Sequence, residues 1–123
     1  MSTAYVYSCV VVEWIDGDTV VLDIDLGFRL TRRDAVRLFG VNTPELRSKE
    51  PAEREKAAAA KAFVEGLAPP GTRLLAHSYK PHRPEDKFGR WLADVILQDG
   101  RSVSAALLEA GHAKRYLVNG VKP

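Results

Sequence analysis

The hydrophobic and polar positions of the first forty residues follow the patterns of β-strands. A run rich in Val, Tyr, Cys and Trp covers Val6 to Ile15, and the Asp16-Gly17 dipeptide after it is typical of tight hairpin turns. Apolar residues then recur at every second position, which predicts a second strand with one buried face. These apolar residues are Val20, Leu22, Ile24 and Leu26.

A third strand is predicted over Ala35 to Val41, and it carries a charged residue on one side. Val36 and Leu38 share one face of this strand, so Arg37 projects from the opposite face. Thr43-Pro44 ends the strand, because proline has no N–H to donate to a neighbouring strand.

The composition becomes helical between Glu53 and Leu67. Ala59, Phe63 and Leu67 stand four residues apart and are expected to form the packing stripe of this helix. Pro69-Pro70-Gly71 ends it.

Two more strands and a short helix complete the predicted elements. The strands cover Thr72 to Tyr79 and Arg90 to Leu97, and the polar segment Lys80 to Gly89 separates them. The short helix follows Ser102, which can cap its first turn, and Gly111 is a suitable stop. This order predicts an α+β fold: an OB-fold, a five-stranded β-barrel with one helix inserted between strands three and four and a short helix after strand five.

Length and composition agree with one globular domain over residues 1–123. The chain is 46% hydrophobic and 28% charged, and Cys9 is its only cysteine. Cys9 lies in an apolar run and is expected to be a small buried hydrophobic residue. No apolar stretch approaches the roughly 18 residues that span a bilayer, and no charged region precedes the first apolar segment. We therefore expect a monomeric cytoplasmic protein that does not bind membranes.

The charge of the chain is nearly balanced, with 18 Lys and Arg against 16 Asp and Glu. Its distribution is uneven, because four arginines fall between Arg29 and Arg37 and four basic residues between Lys80 and Arg90. Such groups are typical of solvated faces, but they also suit a nucleic-acid surface.

Three short segments carry the residue types that phosphodiester cleavage requires. They are Asp16-Gly17-Asp18-Thr19, Arg37-Leu38-Phe39-Gly40-Val41-Asn42-Thr43-Pro44-Glu45 and Asp86-Lys87-Phe88-Gly89-Arg90. Each alone is typical of a turn, a strand or a loop. Together they supply oxygen ligands for a divalent cation, a carboxylate to deprotonate water, and two guanidinium groups for the charge of the transition state.

In this order and spacing the segments resemble the thermonuclease family, the staphylococcal-nuclease-like enzymes. Trp91-Leu92-Ala93 and Gly111-His112-Ala113 extend the resemblance, which covers about residues 5 to 116. It implies a calcium-dependent nuclease on an OB-fold barrel that cuts DNA, RNA or both with little sequence preference.

The resemblance also implies a metal site. Asp18 would bind Ca²⁺ through its carboxylate and Thr43 through its backbone carbonyl, and Mg²⁺ or Mn²⁺ are alternative ions. Asn42 stands where the best-known members have an aspartate, so the site has one negative charge fewer and we expect weaker calcium binding.

The remaining roles follow from the same resemblance. Arg37 and Arg90 would bind the scissile phosphate, and Glu45 would act as the general base toward water. Lys87, Phe88 and Tyr116 would contact the nucleotide. Phe88 replaces a tyrosine common in the family, so stacking is retained and a hydroxyl is lost.

Two features keep a second hypothesis open. Asn42 weakens the metal site, and the seven residues after Tyr116 are too few for the third helix of the best-known members. The alternative is a non-catalytic OB-fold module that binds single-stranded nucleic acid or a protein partner.

Overall fold

Seven strands and two helices follow one another in the computed structural model, which describes residues 5–78 and 90–116. In chain order they are β1 Val6–Asp16, β2 Thr19–Gly27, β3 Leu30–Leu38, β4 Val41–Asn42, α1 Pro51–Leu67, β5 Arg73–Ser78, β6 Trp91–Ile96, α2 Val103–Glu109 and β7 Lys114–Arg115.

Five of the strands close into a barrel in the order β1-β2-β3-β6-β5. All neighbours are antiparallel except β3 and β6, which pair in parallel. The barrel interior holds the main hydrophobic core, and α1 lies between the third and fourth barrel strands in sequence. The predicted α+β OB-fold barrel with an inserted helix is therefore confirmed.

The third strand differs from the prediction at both ends. It begins at Leu30 rather than Ala35, because the β2–β3 hairpin extends beyond the barrel. It ends at Leu38, because Gly40 adopts a left-handed φ of 83° that turns the chain. Val41–Asn42 then pairs separately with Lys114–Arg115, forming a two-stranded β4–β7 ribbon that was not predicted. Strands of two residues are too short to show an alternating pattern.

The buried face of α1 lies one position away from the predicted stripe. Ala57, Ala60 and Val64 are fully buried, whereas Ala59 is exposed and Phe63 only partly buried. Phe63 and Leu67 are half-buried and pack against the core as predicted. The prediction was wrong for Ala59, because a run of alanines offers no contrast in side-chain size or polarity to orient the helix.

The turn between β1 and β2 explains why α1 presents alanine there. The turn residues are Gly17 and Asp18, and a Cβ on Gly17 would lie 2.9 Å from the Cβ of Ala60 and 3.1 Å from Oγ1 of Thr43. Space rather than a left-handed backbone requires the glycine. The close approach of α1 thus holds the Asp18 turn against Thr43.

Two single-residue predictions are confirmed by burial and capping. Cys9 is buried in the core as expected. Trp14, on the same strand β1, is also buried, and its indole N–H donates to the Ala68 carbonyl at 2.9 Å, which links β1 to the end of α1. The Ser102 hydroxyl accepts the backbone N–H of Ala105, so it caps α2 as predicted. Within the described ranges, neither helix has the length and apolarity needed to cross a membrane.

Candidate active site

Asp18 occupies the centre of a buried polar cluster at one end of the barrel. The turn places its carboxylate below the protein surface, with 5% of the residue exposed. Its Oδ1 accepts the Thr19 hydroxyl at 3.1 Å, and its Oδ2 accepts the backbone N–H of Thr43 at 3.0 Å. Nη1 of Arg37 lies 3.5 Å from Oδ2. Three chain segments therefore converge on one carboxylate.

Arg37 is positioned by strand register and then fixed by its own hydrogen bonds. It pairs with Thr19 across β2 and β3, which brings its side chain beside the Asp18 turn. Its Nη1 donates to the carbonyls of Leu38 at 3.0 Å and Val41 at 2.7 Å, and its Nη2 donates to Oδ1 of Asn42 at 3.0 Å. These bonds leave Nε–H and one Nη2–H with no acceptor among residues 5–78 and 90–116.

Arg90 reaches the same cluster from the start of β6. Because β6 runs parallel to β3, residue 90 lies beside the strand that carries Arg37. Nη1 of Arg90 donates to the Thr19 hydroxyl at 3.1 Å, and that hydroxyl donates in turn to Asp18. The structure thus places both candidate phosphate-binding arginines within one polar network.

Thr19 is a member of this network whose role was not predicted from the sequence. It is almost fully buried, and its one hydroxyl joins Asp18 to Arg90, which lies 71 residues further along the chain. Its position after Asp18 in the first motif was the available signal. The contact with Arg90 depends on barrel closure, which no local pattern reveals.

The two aspartates of the turn differ in acidity. Burial and then the hydrogen bond and charge of Asp18 raise the pKa of Asp16 to about 6. Burial opposes ionisation of Asp18 as well, but the hydrogen bond with Asp16, the charge of Arg37 and the Thr43 N–H together hold its pKa below 3.8. Asp18 is therefore the stronger acid of the two, and Asp16 is the one that takes up a proton first as the pH falls toward 6.

Glu45 lies outside this hydrogen-bonded network. Its side chain is exposed and, within the described residues, makes no hydrogen bond to the cluster. It does line a cavity of about 510 Å³ that Asn42 and Thr43 also line. The structure therefore brings Glu45 to the edge of the cluster rather than into it.

The donor atoms around Asp18 suit a hard divalent cation by type but carry little charge. The predicted ligands Asp18, Asn42 and Thr43 all offer oxygen, which Ca²⁺ prefers. Their arrangement includes one ionised carboxylate, and Arg37 hydrogen-bonds the Asn42 amide oxygen. The buried Thr43 hydroxyl has no partner among the residues described. In that part of the chain, no group of three or more His, Cys, Asp or Glu side chains could hold a metal ion.

The three predicted nucleotide contacts divide between described and undescribed residues. Tyr116 is 40% exposed, its N–H donates to the Gly40 carbonyl at 2.9 Å, and its ring centroid lies 5.7 Å from Cζ of Arg37. The aromatic ring therefore lies within cation–π distance of the guanidinium group. Lys87 and Phe88 lie outside the described residues.

Comparison with known proteins gives one family. A family model described as staphylococcal nuclease homologue matches residues 35–122, which is more than two thirds of the chain. No curated protein matches at a significant level. The match includes Arg37, Glu45 and Arg90 and begins after the Asp18 turn.

Proposed function

Because the chain belongs to the staphylococcal nuclease homologue family, we propose that it is a calcium-dependent nuclease that hydrolyses phosphodiester bonds of DNA, RNA or both with little sequence preference. The observation that supports this proposal is the network joining Asp18, Arg37 and Arg90 through the Thr19 hydroxyl. It combines an ionised carboxylate with two permanent cations, which a site for phosphoryl chemistry requires.

The two arginines bind and orient the scissile phosphate. Arg37 is held by three acceptors of its own chain and retains N–H groups for a phosphate oxygen, so little reorganisation is needed on binding. Arg90 donates to the Thr19 hydroxyl, which in turn donates to Asp18. Because arginine stays charged at any working pH, both stabilise the negative charge that grows in the transition state.

Asp18, the Asn42 amide oxygen and the Thr43 carbonyl would hold the calcium ion. When bound, the ion supplies positive charge that attracts a phosphate oxygen and makes a bound water more acidic. The network keeps Asp18 ionised and turned toward Thr43, so its carboxylate is ready for a cation. We expect weak affinity, since one carboxylate serves the site and Arg37 partly neutralises it.

Glu45 accepts the proton of the attacking water in this proposal. Its exposed carboxylate lies on the cavity wall, two residues after Thr43, where water has access. Lys87, Phe88 and Tyr116 are proposed to contact the flanking nucleotide.

The test compares Glu45→Gln with Glu65→Gln, a matched change at an exposed position of α1. Purified protein is incubated with labelled single-stranded DNA in calcium and then in chelator. In calcium we expect the wild type to shorten the DNA, Glu45→Gln to lower the cleavage rate by about 10²–10³-fold, and Glu65→Gln to leave it unchanged. In chelator we expect all three proteins to bind the DNA with similar affinity. Equal turnover in the two variants would show that Glu45 is not the base.

A binding module without catalysis is the second candidate, and the Arg37–Asn42 hydrogen bond favours it. A guanidinium group that engages the amide oxygen competes with a metal ion for the same atom. If the protein is such a binding module, it binds the DNA but does not cleave it at any calcium concentration.

A further inference from the structure

A cavity of about 510 Å³ adjoins the Asp18 network on the side of α1. One wall is the segment from Asn42 to Glu45, the second is the exposed face of α1 near Lys56, and the third is the segment from Gly111 to Lys114. We propose that this cavity is a nucleoside subsite, which binds the base of a nucleotide beside the scissile phosphate other than the one proposed to contact Tyr116. The proposal rests on the proposed nuclease function.

The position of the cavity connects it to the phosphate-binding arginines. Asn42 accepts a hydrogen bond from Arg37, and the Thr43 N–H donates to Asp18, while both residues also line the cavity. A nucleic-acid strand with one phosphate at Arg37 therefore passes the cavity mouth with an adjoining nucleotide. Glu45 lines the same wall of the cavity.

The charges around the cavity suit a neutral group rather than a second phosphate. The lining includes two carboxylates, Glu45 and Glu53, and two ammonium groups, Lys56 and Lys114, so these side chains add no net charge. This contrasts with the arginine pair, which attracts anions. A nucleobase is uncharged, and the donors and acceptors on its edge can pair with both kinds of side chain.

The remaining walls offer the apolar contact that a flat ring needs. Pro44, Ala59 and Ala113 contribute carbon surface, and His112 contributes a ring. The His112 ring is held against Phe63 with 4.8 Å between the centroids and a tilt of 40°. An aromatic ring already fixed by packing is a suitable platform for base stacking, and the cavity volume lies within the range of about 300–1,000 Å³ usual for small-molecule sites.

Filling the cavity tests the proposal without disturbing the barrel core. Ala59 lines the cavity from an exposed position of α1, so Ala59→Leu places a larger side chain there while keeping a good helix former. Ala62→Leu is the matched control, because Ala62 is also exposed on α1 and does not line the cavity. Circular dichroism confirms that both variants are folded.

The first measurement is the binding of a fluorescent DNA trinucleotide in chelator, followed by anisotropy. We expect Ala59→Leu to weaken binding by about tenfold, since stacking of one base is lost, and Ala62→Leu to match the wild type. Equal binding by all three proteins would overturn the subsite. Because chelator prevents turnover, this result does not depend on catalysis.

The second measurement asks whether the cavity recognises a base. Cleavage of an oligonucleotide in calcium is compared with cleavage of the same oligonucleotide lacking one base beside the cut position, on either side in turn. We expect one abasic substrate to lower kcat/KM by about tenfold in wild type and in Ala62→Leu, but to have little further effect in Ala59→Leu.

The outcomes separate the subsite from the nuclease proposal. If the protein cleaves DNA and the abasic substrate lowers kcat/KM as much in Ala59→Leu as in the wild type, the subsite proposal is wrong and the nuclease proposal stands. Weaker trinucleotide binding by Ala59→Leu without any cleavage would support the cavity as a nucleic-acid site and reject the nuclease.

Discussion

The two ends of the β2–β3 hairpin each carry an Asp–Arg pair, and the two pairs differ in almost every respect. At the outer end, Nε of Arg33 lies 2.7 Å from Oδ1 of Asp23, with 65% and 31% of these side chains exposed. At the barrel end, Nη1 of Arg37 lies 3.5 Å from Oδ2 of Asp18, with only 8% and 7% exposed. The shorter distance belongs to the weaker pair, because solvent screens it.

The apolar residues of the same hairpin show the same contrast. Val20 and Leu22 are fully buried near the Asp18 turn, whereas Leu26 and Leu30 are exposed at the outer end. Phe28, at the tip, is 98% exposed and adopts a left-handed φ of 54°. The predicted alternation on β2 therefore marks a buried face only where the strand lies within the barrel. Burial, rather than the local pattern, makes one end of the hairpin a candidate site.

The largest expected effect comes from removing the arginine at each end. Arg37→Ala should lower the free energy of unfolding by about 3–5 kcal/mol, because it leaves the Asp18 carboxylate buried without a cation. It should also reduce nuclease turnover by about 10²–10³-fold. Arg33→Ala should match the wild type in turnover and lower the free energy of unfolding only slightly, because its ion pair is exposed. Urea unfolding and calcium-dependent DNA cleavage provide the measurements.

Arg37→Lys separates the two roles of Arg37. It keeps the charge and loses the planar fork, so stability should recover more than turnover does. If Arg37→Ala and Arg33→Ala proved equally mild, the contrast between the two ends would be wrong.

A smaller effect is expected at Thr19, whose hydroxyl joins Asp18 to Arg90. Thr19→Val retains the shape of the side chain and removes both hydrogen bonds. We expect about a tenfold loss of kcat and a loss of stability of about 1–2 kcal/mol. Thr19→Ser should restore most of the kcat, since it returns the hydroxyl. A valine variant with wild-type kcat would show that the link to Arg90 does not matter for turnover.

The charge at position 42 should change calcium affinity more modestly. Asn42→Asp adds a carboxylate beside Asp18, and we expect the calcium concentration for half-maximal activity to fall by about three- to tenfold. Gln98→Glu, in the turn after β6, adds the same charge at an exposed position and serves as the control. An unchanged half-saturation in Asn42→Asp would remove Asn42 from the metal site.

The smallest effect is expected at the outer ion pair and depends on pH. The hydrogen bond and charge of Arg33 lower the pKa of Asp23 below 3.8. A depressed pKa in the folded state adds stability above about pH 4, and that stability is lost as the pH falls through the folded-state pKa. Asp23→Asn should therefore have a slightly lower urea midpoint than the wild type at pH 7 and an equal one near pH 2. The difference at pH 7 should shrink in high salt.

Individual residues show which parts of the fold and site followed from local pattern. Trp14 and Cys9 lie in an apolar β pattern and are buried, and Ser102 is a favoured capping residue that caps α2. By contrast, Ala60 rather than Ala59 is buried in the alanine run of α1, although Phe63 and Leu67 of the predicted stripe do pack against the core. A sequence pattern predicts which residues are buried where neighbouring residues differ in size or polarity, and it fails where they are alike.

The candidate site divides in the same way. Asp18, Arg37, Glu45 and Arg90 could be nominated because their types and order match a family motif. Thr19 was missed, because its importance comes from a bond to a residue on a distant strand. The nucleoside cavity was also missed, because its three walls come from separate stretches of the chain.

The order of strands and helices and the set of charged groups available for chemistry are properties of the sequence alone, because they follow from local side-chain periodicity and residue type. The tertiary structure decided which of those charges are buried, which partner each one has and where a cavity opens. Barrel closure places β6 beside β3 and α1 against the Asp18 turn, and only that packing brings Arg90 to Thr19 and excludes water from Arg37.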